Sequence, residues 1–433
     1  MFANGRINLE GVIKALCFAV LGLIPINMFV TPLVDFVLIP DLPENWTVTK
    51  TVYFALLCTI PLLGLSLAFL KSPTEKRFVR FAAIFFVYAS ALTTYSATNL
   101  FYPYYGLVSM LGCLIAGALF YVAARDSLIA PLIVFRVLAY SAILAAVPMV
   151  LVVVDPDRYA QLTEAFGTPH ILYGYENPRA LGWISTIGLS VIAASFVAMP
   201  HDQRVSAIHL SLTFVCSTVL FWSGSRGGIV AVGATIILIF AMSKTKNPRA
   251  AALMLAAVAV GAFASVFIHL PAHSFGTFSR LADNLSQDTI NAMSSGRIAL
   301  WQLTWSYIQE QPIIGYGILP HKDLPGFTHG SAHNFILDAW LWFGVIIGTL
   351  VLAIGLALWF QLFGFFRRAN DQYLTALFSV VTTLAAYSVY SGPYARTFPL
   401  LIFAMCVGTL LGRRAASNKA ATETENQVMR ATT

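Results

Sequence analysis

The chain has 433 residues, of which 58% are hydrophobic and only 10% charged, against roughly 25% charged in a soluble domain. So few charges cannot cover a water-soluble fold of this length, and a mean hydropathy of +0.76 makes lipid the solvent for much of it. The net charge of +7 invites a nucleic-acid reading, which the placement of the basic residues argues against.

A helix rises about 1.5 Å per residue, so crossing a hydrocarbon core of about 30 Å takes about 20 apolar residues. Runs of that kind fall near 11–31, 51–70, 78–98, 105–124, 128–154, 180–200, 205–223, 227–243, 250–269, 335–361, 373–391 and 397–412. No small-residue cleavage site follows the first run, which reads as a transmembrane helix and not as a cleavable signal. The expected fold is all-α. It is a polytopic integral membrane protein with about twelve transmembrane helices, one transmembrane domain over 1–412 and a polar, disordered tail over 413–433. Cys17, Cys58, Cys113, Cys216 and Cys406 all lie inside apolar runs and read as small buried hydrophobes.

The connections alternate in charge. Lys71, Lys76, Arg77 and Arg80 fall in one, Lys244, Lys246 and Arg249 in another, and further basic residues lie at 201–204, 367–368 and from Arg413 onward. Lys/Arg excess marks cytoplasmic loops, and an even number of spans puts both termini on that side. The opposite face carries three longer loops, 32–50, 155–179 and 270–334. The last contains GRIALWQLTWSYIQE, with Ile298, Trp301, Leu303, Trp305 and Ile308 on an apolar face, Ser294 or Ser295 as cap, and Pro312, Gly315 and Gly317 beyond its end. Such a helix lies on a membrane surface or roofs a cavity.

Several outward residues bear on chemistry. Arg226 stands in SGSRGG, where glycines permit a tight turn and close ligand approach. The next helix adds free N–H groups and the positive end of its dipole. An arginine there suits a phosphate, which it grips bidentately; it equally suits lipid headgroups. Arg297, in SSGRIALW, opposes a helix dipole, which favours a ligand over a plain solvated role. His333 opens HNFILDAWLWFG where the large loop re-enters the membrane. An imidazole of ordinary pKa near 6.5 is mostly neutral at pH 7 and can take a proton, although a lone histidine is more often structural. Asn334 can fix that ring or hold a substrate hydroxyl, and Asp338 lies one turn into the span without sharing a face with His333. Arg179, in YENPRALGW, is a weaker phosphate candidate. Arg136 is a cation inside a span, costly by roughly 2.5–3.5 kcal/mol and a functional suspect, unless it snorkels to the basic side. His269, His273, His321 and His329 lack metal-ligand spacing. No nucleotide-binding motif is present in the sequence, and no cofactor or metal is expected.

SGSRGG, SGRIALWQ…PIIGYG, HNFILDAWLWFG with Gly344, and NPRALGW together resemble the bacterial O-antigen ligase and polymerase superfamily, most specifically over about 220–350. At 347 the signature expects a small or polar residue and the chain has Ile347, with Gly348 next; late in the chain SGPYARTF offers Arg396 where some relatives carry an acid. The resemblance implies a metal-independent, inverting glycosyltransferase in the inner membrane of a Gram-negative bacterium, acting on the periplasmic face. It implies undecaprenyl-diphosphate-linked O-antigen as donor and a sugar hydroxyl of lipid A-core as acceptor. On that reading His333 is the general base, Arg226, Arg297 and Arg179 bind the diphosphate, and Asn334 and Ser225 assist. Three alternatives stay open: an O-linked protein oligosaccharyltransferase, an O-antigen polymerase, and a non-enzymatic flippase or transporter of lipid-linked glycans.

Overall fold

The computed structural model describes residues 2–3, 6–7, 9–38, 73–96, 101–165, 172–173, 178–201, 203–244, 247–268, 276–278, 296–327 and 331–432. Two two-residue strands, Phe2–Ala3 and Arg6–Ile7, pair antiparallel ahead of an otherwise helical fold. The helices are α1 (Leu9–Leu38), α2 (Pro73–Ser96), α3 (Phe101–Arg125), α4 (Pro131–Ser141), α5 (Val147–Val154), α6 (Pro156–Ala165) and α7 (Pro178–Val197). They continue with α8 (Ala207–Trp222), α9 (Arg226–Met242), α10 (Pro248–Ser265), α11 (Arg297–Glu310), α12 (Phe335–Ala369), α13 (Gln372–Ser388) and α14 (Thr397–Thr432). A 3₁₀ segment, Ala142–Ala146, joins α4 to α5 within one apolar run. Among the described residues, seven stretches are long and apolar enough to cross a membrane, and three shorter apolar helices accompany them. The protein is thus an all-α polytopic membrane protein. The expected span 51–70 lies outside the described residues.

Prolines set many of the helix starts. Pro73, Pro131, Pro178 and Pro248 each stand at or next to a first helical position, where the missing N–H costs nothing. The tail that composition marks as disordered is helical, continuing α14 to Thr432 with residues 417–431 exposed. Its Ala, Glu, Gln, Lys and Met residues favour helix, and nothing in 413–432 breaks one.

Between apolar helices, lipid offers no hydrophobic reason to associate, so close backbone approach and polar pairing must do it. Both are present. A side chain on Gly408 would strike the Gly117 carbonyl oxygen at 2.0 Å, and one on Gly412 the Tyr121 carbonyl oxygen at 2.2 Å, so α14 and α3 meet backbone to backbone. Buried Ser190 on α7 bonds both Ser379 and Thr383 on α13, each at 2.9 Å. The main core runs through α1, α3–α10 and α12–α14. A smaller apolar cluster, with Leu107, Ile308, Ile318, Trp342 and Tyr394 among its members, lies beneath the loop that follows α11.

The long helix α12 is broken. Gly344 leaves the helical region at φ 74°, ψ 165°, which frees backbone groups inside an apolar element. The PIIGYG loop re-pairs them: Tyr316 N–H donates to the Leu341 carbonyl (2.8 Å), Gly317 N–H to Trp342 (3.0 Å), and Val345 N–H to the Pro312 carbonyl (2.7 Å). Irregular backbone is tolerated at membrane depth only when protein satisfies it in this way. The fit leaves no room for a side chain, since a Cβ on Gly344 would sit 2.0 Å from the Ile313 carbonyl oxygen and one on Gly315 2.5 Å from the Gly344 nitrogen.

Gly344→Ala therefore collides with backbone and demands a disfavoured φ, and is expected to destabilise by about 2–4 kcal/mol. Gly355→Ala, on the same helix with open space around it, is the control. Thermal unfolding in detergent checks this; equal melting temperatures for the two variants would remove the lock from the account.

Candidate active site

The turn between α8 and α9 is built from buried Ser223, Gly224 and Ser225, with Gly224 at φ 65°. Ser225 occupies the N-cap position but makes no side-chain cap; its hydroxyl is hydrogen-bonded to the Tyr387 hydroxyl instead. The first turn of α9, starting at half-buried Arg226, thus keeps the donor character of an uncapped helix start. The start of α7 packs onto the same turn, because a Cβ on Gly182 would lie 2.3 Å from the Ser225 Cβ and one on Gly228 2.2 Å from the Thr186 hydroxyl. Arg179 is in the first turn of α7, so its backbone belongs to this end of the molecule.

Arg297, half-buried, is the first residue of α11. The cap position is Gly296 at φ 75° with no side-chain cap, and Ser294 and Ser295 lie outside the described residues. Of the expected apolar face, Ile308 is buried, while Trp305 is 45% exposed and stacks edge-on against Trp340 (6.2 Å). Trp301 donates its indole N–H to the Ala332 carbonyl (3.0 Å), so the helix that begins with Arg297 grips the residue before His333.

His333 has φ 55°, a left-handed conformation that few residues other than glycine adopt. Its neighbours hold it there. The Ala332 N–H donates to Asp338 Oδ1 (3.0 Å), and Asn334 caps α12 by accepting from the Ile336 and Leu337 N–H groups (3.0 and 3.2 Å). Both polar groups of the Ala332 peptide are therefore clamped, one by α12 and one by α11. Asn334 spends its side-chain oxygen on the cap, leaving its amide NH₂ as a donor.

Asp338 does not turn to His333. Fully buried, it accepts from the Ala332 N–H and from the Tyr394 hydroxyl, and its Oδ1 lies 2.9 Å from Nε2 of fully buried His321. Burial first, and then the Asp338 charge and hydrogen bond, push the Tyr394 phenol well above its ordinary pKa, so Tyr394 remains a donor to the carboxylate.

The segment from Tyr387 to Arg396 brings these parts together. Tyr387 meets Ser225. The Tyr390 hydroxyl donates to the Gly227 carbonyl (3.1 Å), and its ring would touch a Cβ on Gly227 at 2.9 Å. Tyr390 also lies within electrostatic reach of Arg297. Gly392 packs on the imidazole, where an added Cβ would lie 3.1 Å from His333 Nδ1. Arg396 lies over the Trp183 ring, 5.7 Å from its centroid, near the start of α7. The helix starts carrying Arg226, Arg297 and Arg179 and the His333 loop thus converge on one segment. Sequence reading marked SGPYARTF only for its lack of an acid. The signal it passed over is the three tyrosines in YSVYSGPY, polar-tipped rings grouped at a helix end where such tips find partners.

Asp338→Asn exchanges an acceptor-only group for one that presents N–H to donors, and an unsatisfied buried group costs about 1–3 kcal/mol. A lowered unfolding temperature is expected, with a smaller drop for Tyr394→Phe, which loses one bond of the set. If Asp338→Asn melts like the parent in a thermal scan, the carboxylate does not hold the His333 loop.

Residues 211–353 match the family described as O-antigen ligase. No curated protein matches the chain. The matched stretch holds Arg226, α11 with Arg297, the PIIGYG loop, His333 and Gly344, while Arg179 and the tyrosine segment fall outside it. The chain thus carries, on a multi-helix membrane scaffold, a stretch of 143 residues that matches the O-antigen ligase family.

Proposed function

We propose that the protein transfers an O-antigen glycan from undecaprenyl diphosphate to a sugar hydroxyl of lipid A-core, completing lipopolysaccharide. The match over 211–353 supports an enzyme acting on glycans in O-antigen ligation. The observation that carries the finer reading is the convergence of two arginine-bearing helix starts and one histidine loop on Tyr387–Arg396. A lipid diphosphate needs cations and N–H donors for its phosphates and an apolar surface for its tail. Arg226 and Arg297, each in a first helical turn, supply the first, with Arg179 as a third cation near the entry of α7. The surrounding spans supply the second.

In the proposed reaction His333 takes the proton from the acceptor hydroxyl as that oxygen attacks the anomeric carbon. The bond from that carbon to the diphosphate oxygen breaks, the electron pair leaves with undecaprenyl diphosphate, and the configuration inverts. The arginines stabilise the charge that gathers on the leaving group. A diphosphate leaves readily without nucleotide or metal assistance, so the reaction is proposed to be metal-independent. Asn334 and Ser225 support the site through the α12 cap and the Tyr387 contact. The Lys/Arg excess of the short connections supports a cytoplasmic position for the opposite end of the bundle and both termini, and with it a site at the periplasmic face of a Gram-negative inner membrane.

The test is ligation by the purified full-length protein, with lipid-linked O-antigen and lipid A-core in EDTA, read as a high-molecular-weight lipopolysaccharide ladder. His333→Ala is expected to slow ladder formation by about 10²–10⁴-fold, and Arg226→Ala or Arg297→Ala by about 10²–10³-fold. A ladder formed at the parental rate by His333→Ala would remove the base while leaving the ligase assignment. A folded parent protein that modifies a polypeptide and not lipid A-core would replace the acceptor.

A further inference from the structure

Arg136 takes no part in the chemistry above. It is the single charged residue in the span Pro131–Val154 and is exposed on its surface. A cation so placed is costly in lipid unless an anion meets it, and among the described residues no carboxylate forms an ion pair with Arg136. It lines a cleft of about 140 Å³ between the ends of α4, α7, α8 and α13, together with Tyr140, Gln203, Arg204, His209 and Gln372. Asp371, the N-cap residue next to Gln372, is engaged otherwise, its carboxylate accepting from the Tyr373 and Leu374 N–H groups at 2.8 and 2.9 Å.

Polar atoms in this cleft await a partner. His209 Nε2 and Gln372 Oε1 are buried and make no hydrogen bond among the described residues. Aromatic contacts fix the imidazole: Phe135 at 6.0 Å, Phe196 edge-on at 6.2 Å and Tyr140 stacked at 6.3 Å. Ser206, the N-cap residue of α8, also lines the cleft and makes no side-chain cap. The site lies far from the arginines and histidine described above. Ser195 lines the cleft and Arg179 begins α7, a separation of roughly 24 Å by helix rise. That is most of a bilayer core, so the cleft stands near the opposite membrane interface.

We propose that this cleft binds the phosphate of an anionic phospholipid. Two arginines, a positioned imidazole and a helix start form a set of donors for phosphate oxygens. Tyr140 and Leu132 give the glycerol and upper acyl carbons an apolar border. The volume is well below the roughly 300–1,000 Å³ of sites that enclose a whole small molecule, so the cleft takes a headgroup whose tails remain in the bilayer. Basic pockets between spans on the cytoplasmic side are where such headgroups bind.

The full-length protein in detergent, titrated with phosphatidylglycerol and followed by native mass spectrometry, tests this. The parent is expected to retain one tightly held phosphatidylglycerol in excess over added phosphatidylcholine. Arg136→Gln with Arg204→Gln is expected to weaken retention roughly tenfold, while Arg125→Gln, whose guanidinium is already paired with Asp126 at 2.8 Å, leaves it unchanged. If the double variant fails gel filtration, Arg204→Gln alone decides, since Arg204 stands outside the span. Retention by the variants equal to the parent overturns the site. Inorganic phosphate displacing the lipid as well as phosphatidylglycerol itself, concentration for concentration, overturns the lipid assignment and leaves a soluble phosphate compound as occupant.

Discussion

An apolar helix that stops being helical inside a membrane must find new partners for the peptide groups it releases, because lipid provides none. At Gly344 those partners come from a single loop, Pro312–Gly317. The loop is the continuation of α11, so docking it against α12 also sets where α11 lies. From α11, Trp301 reaches the Ala332 carbonyl, and from α12 Asp338 takes the Ala332 N–H. The break is thus upstream, in a mechanical sense, of both the Arg297 helix start and the His333 backbone. Glycine is required on both sides of the contact for two reasons: backbone meets backbone there, and Gly315 and Gly344 both adopt positive φ.

Around this lock the polar groups divide their duties. Asp338 is fully committed inward, to Tyr394, His321 and the Ala332 peptide, and such a saturated buried carboxylate fixes geometry more than it adds net stability. The tyrosines at the end of α13 use their hydroxyls on Ser225 and Gly227, tying the α8–α9 turn to the same place. Arg226, Arg297 and His333, the residues assigned to chemistry in the proposed reaction, stand on backbone that these contacts fix. A fixed backbone of this kind suits the proposed transfer, which depends on holding the reacting groups in one geometry.

The spans were legible because their signal is additive along the chain: twenty apolar residues announce themselves without reference to anything distant. Helix starts were nearly as plain, since Pro131, Pro178 and Pro248 mark them locally. Arg226, Arg297 and His333 could be picked out for the same reason, as charged or titratable residues at predicted element ends. What joined them could not. Ser225 and Tyr387 are separated by 162 positions and Asp338 and Tyr394 by 56, and no periodicity records a contact of that kind. The break at Gly344 was hidden inside a run that reads as one continuous span, because its cause lies in a loop that precedes it. Asp338 faces His321, a histidine that spacing alone makes unremarkable. The tail differed for another reason: low hydrophobicity predicts the absence of a core, and an exposed helix needs none.

The last span has a practical side. Its glycines seat it against α3, while beyond that contact residues 417–431 project as exposed helix, roughly 20 Å long by helix rise. They leave from the end of α14 opposite Arg396. An antibody fragment raised to that helix would offer a handle for imaging that stands off from the bundle, at the end away from Arg396.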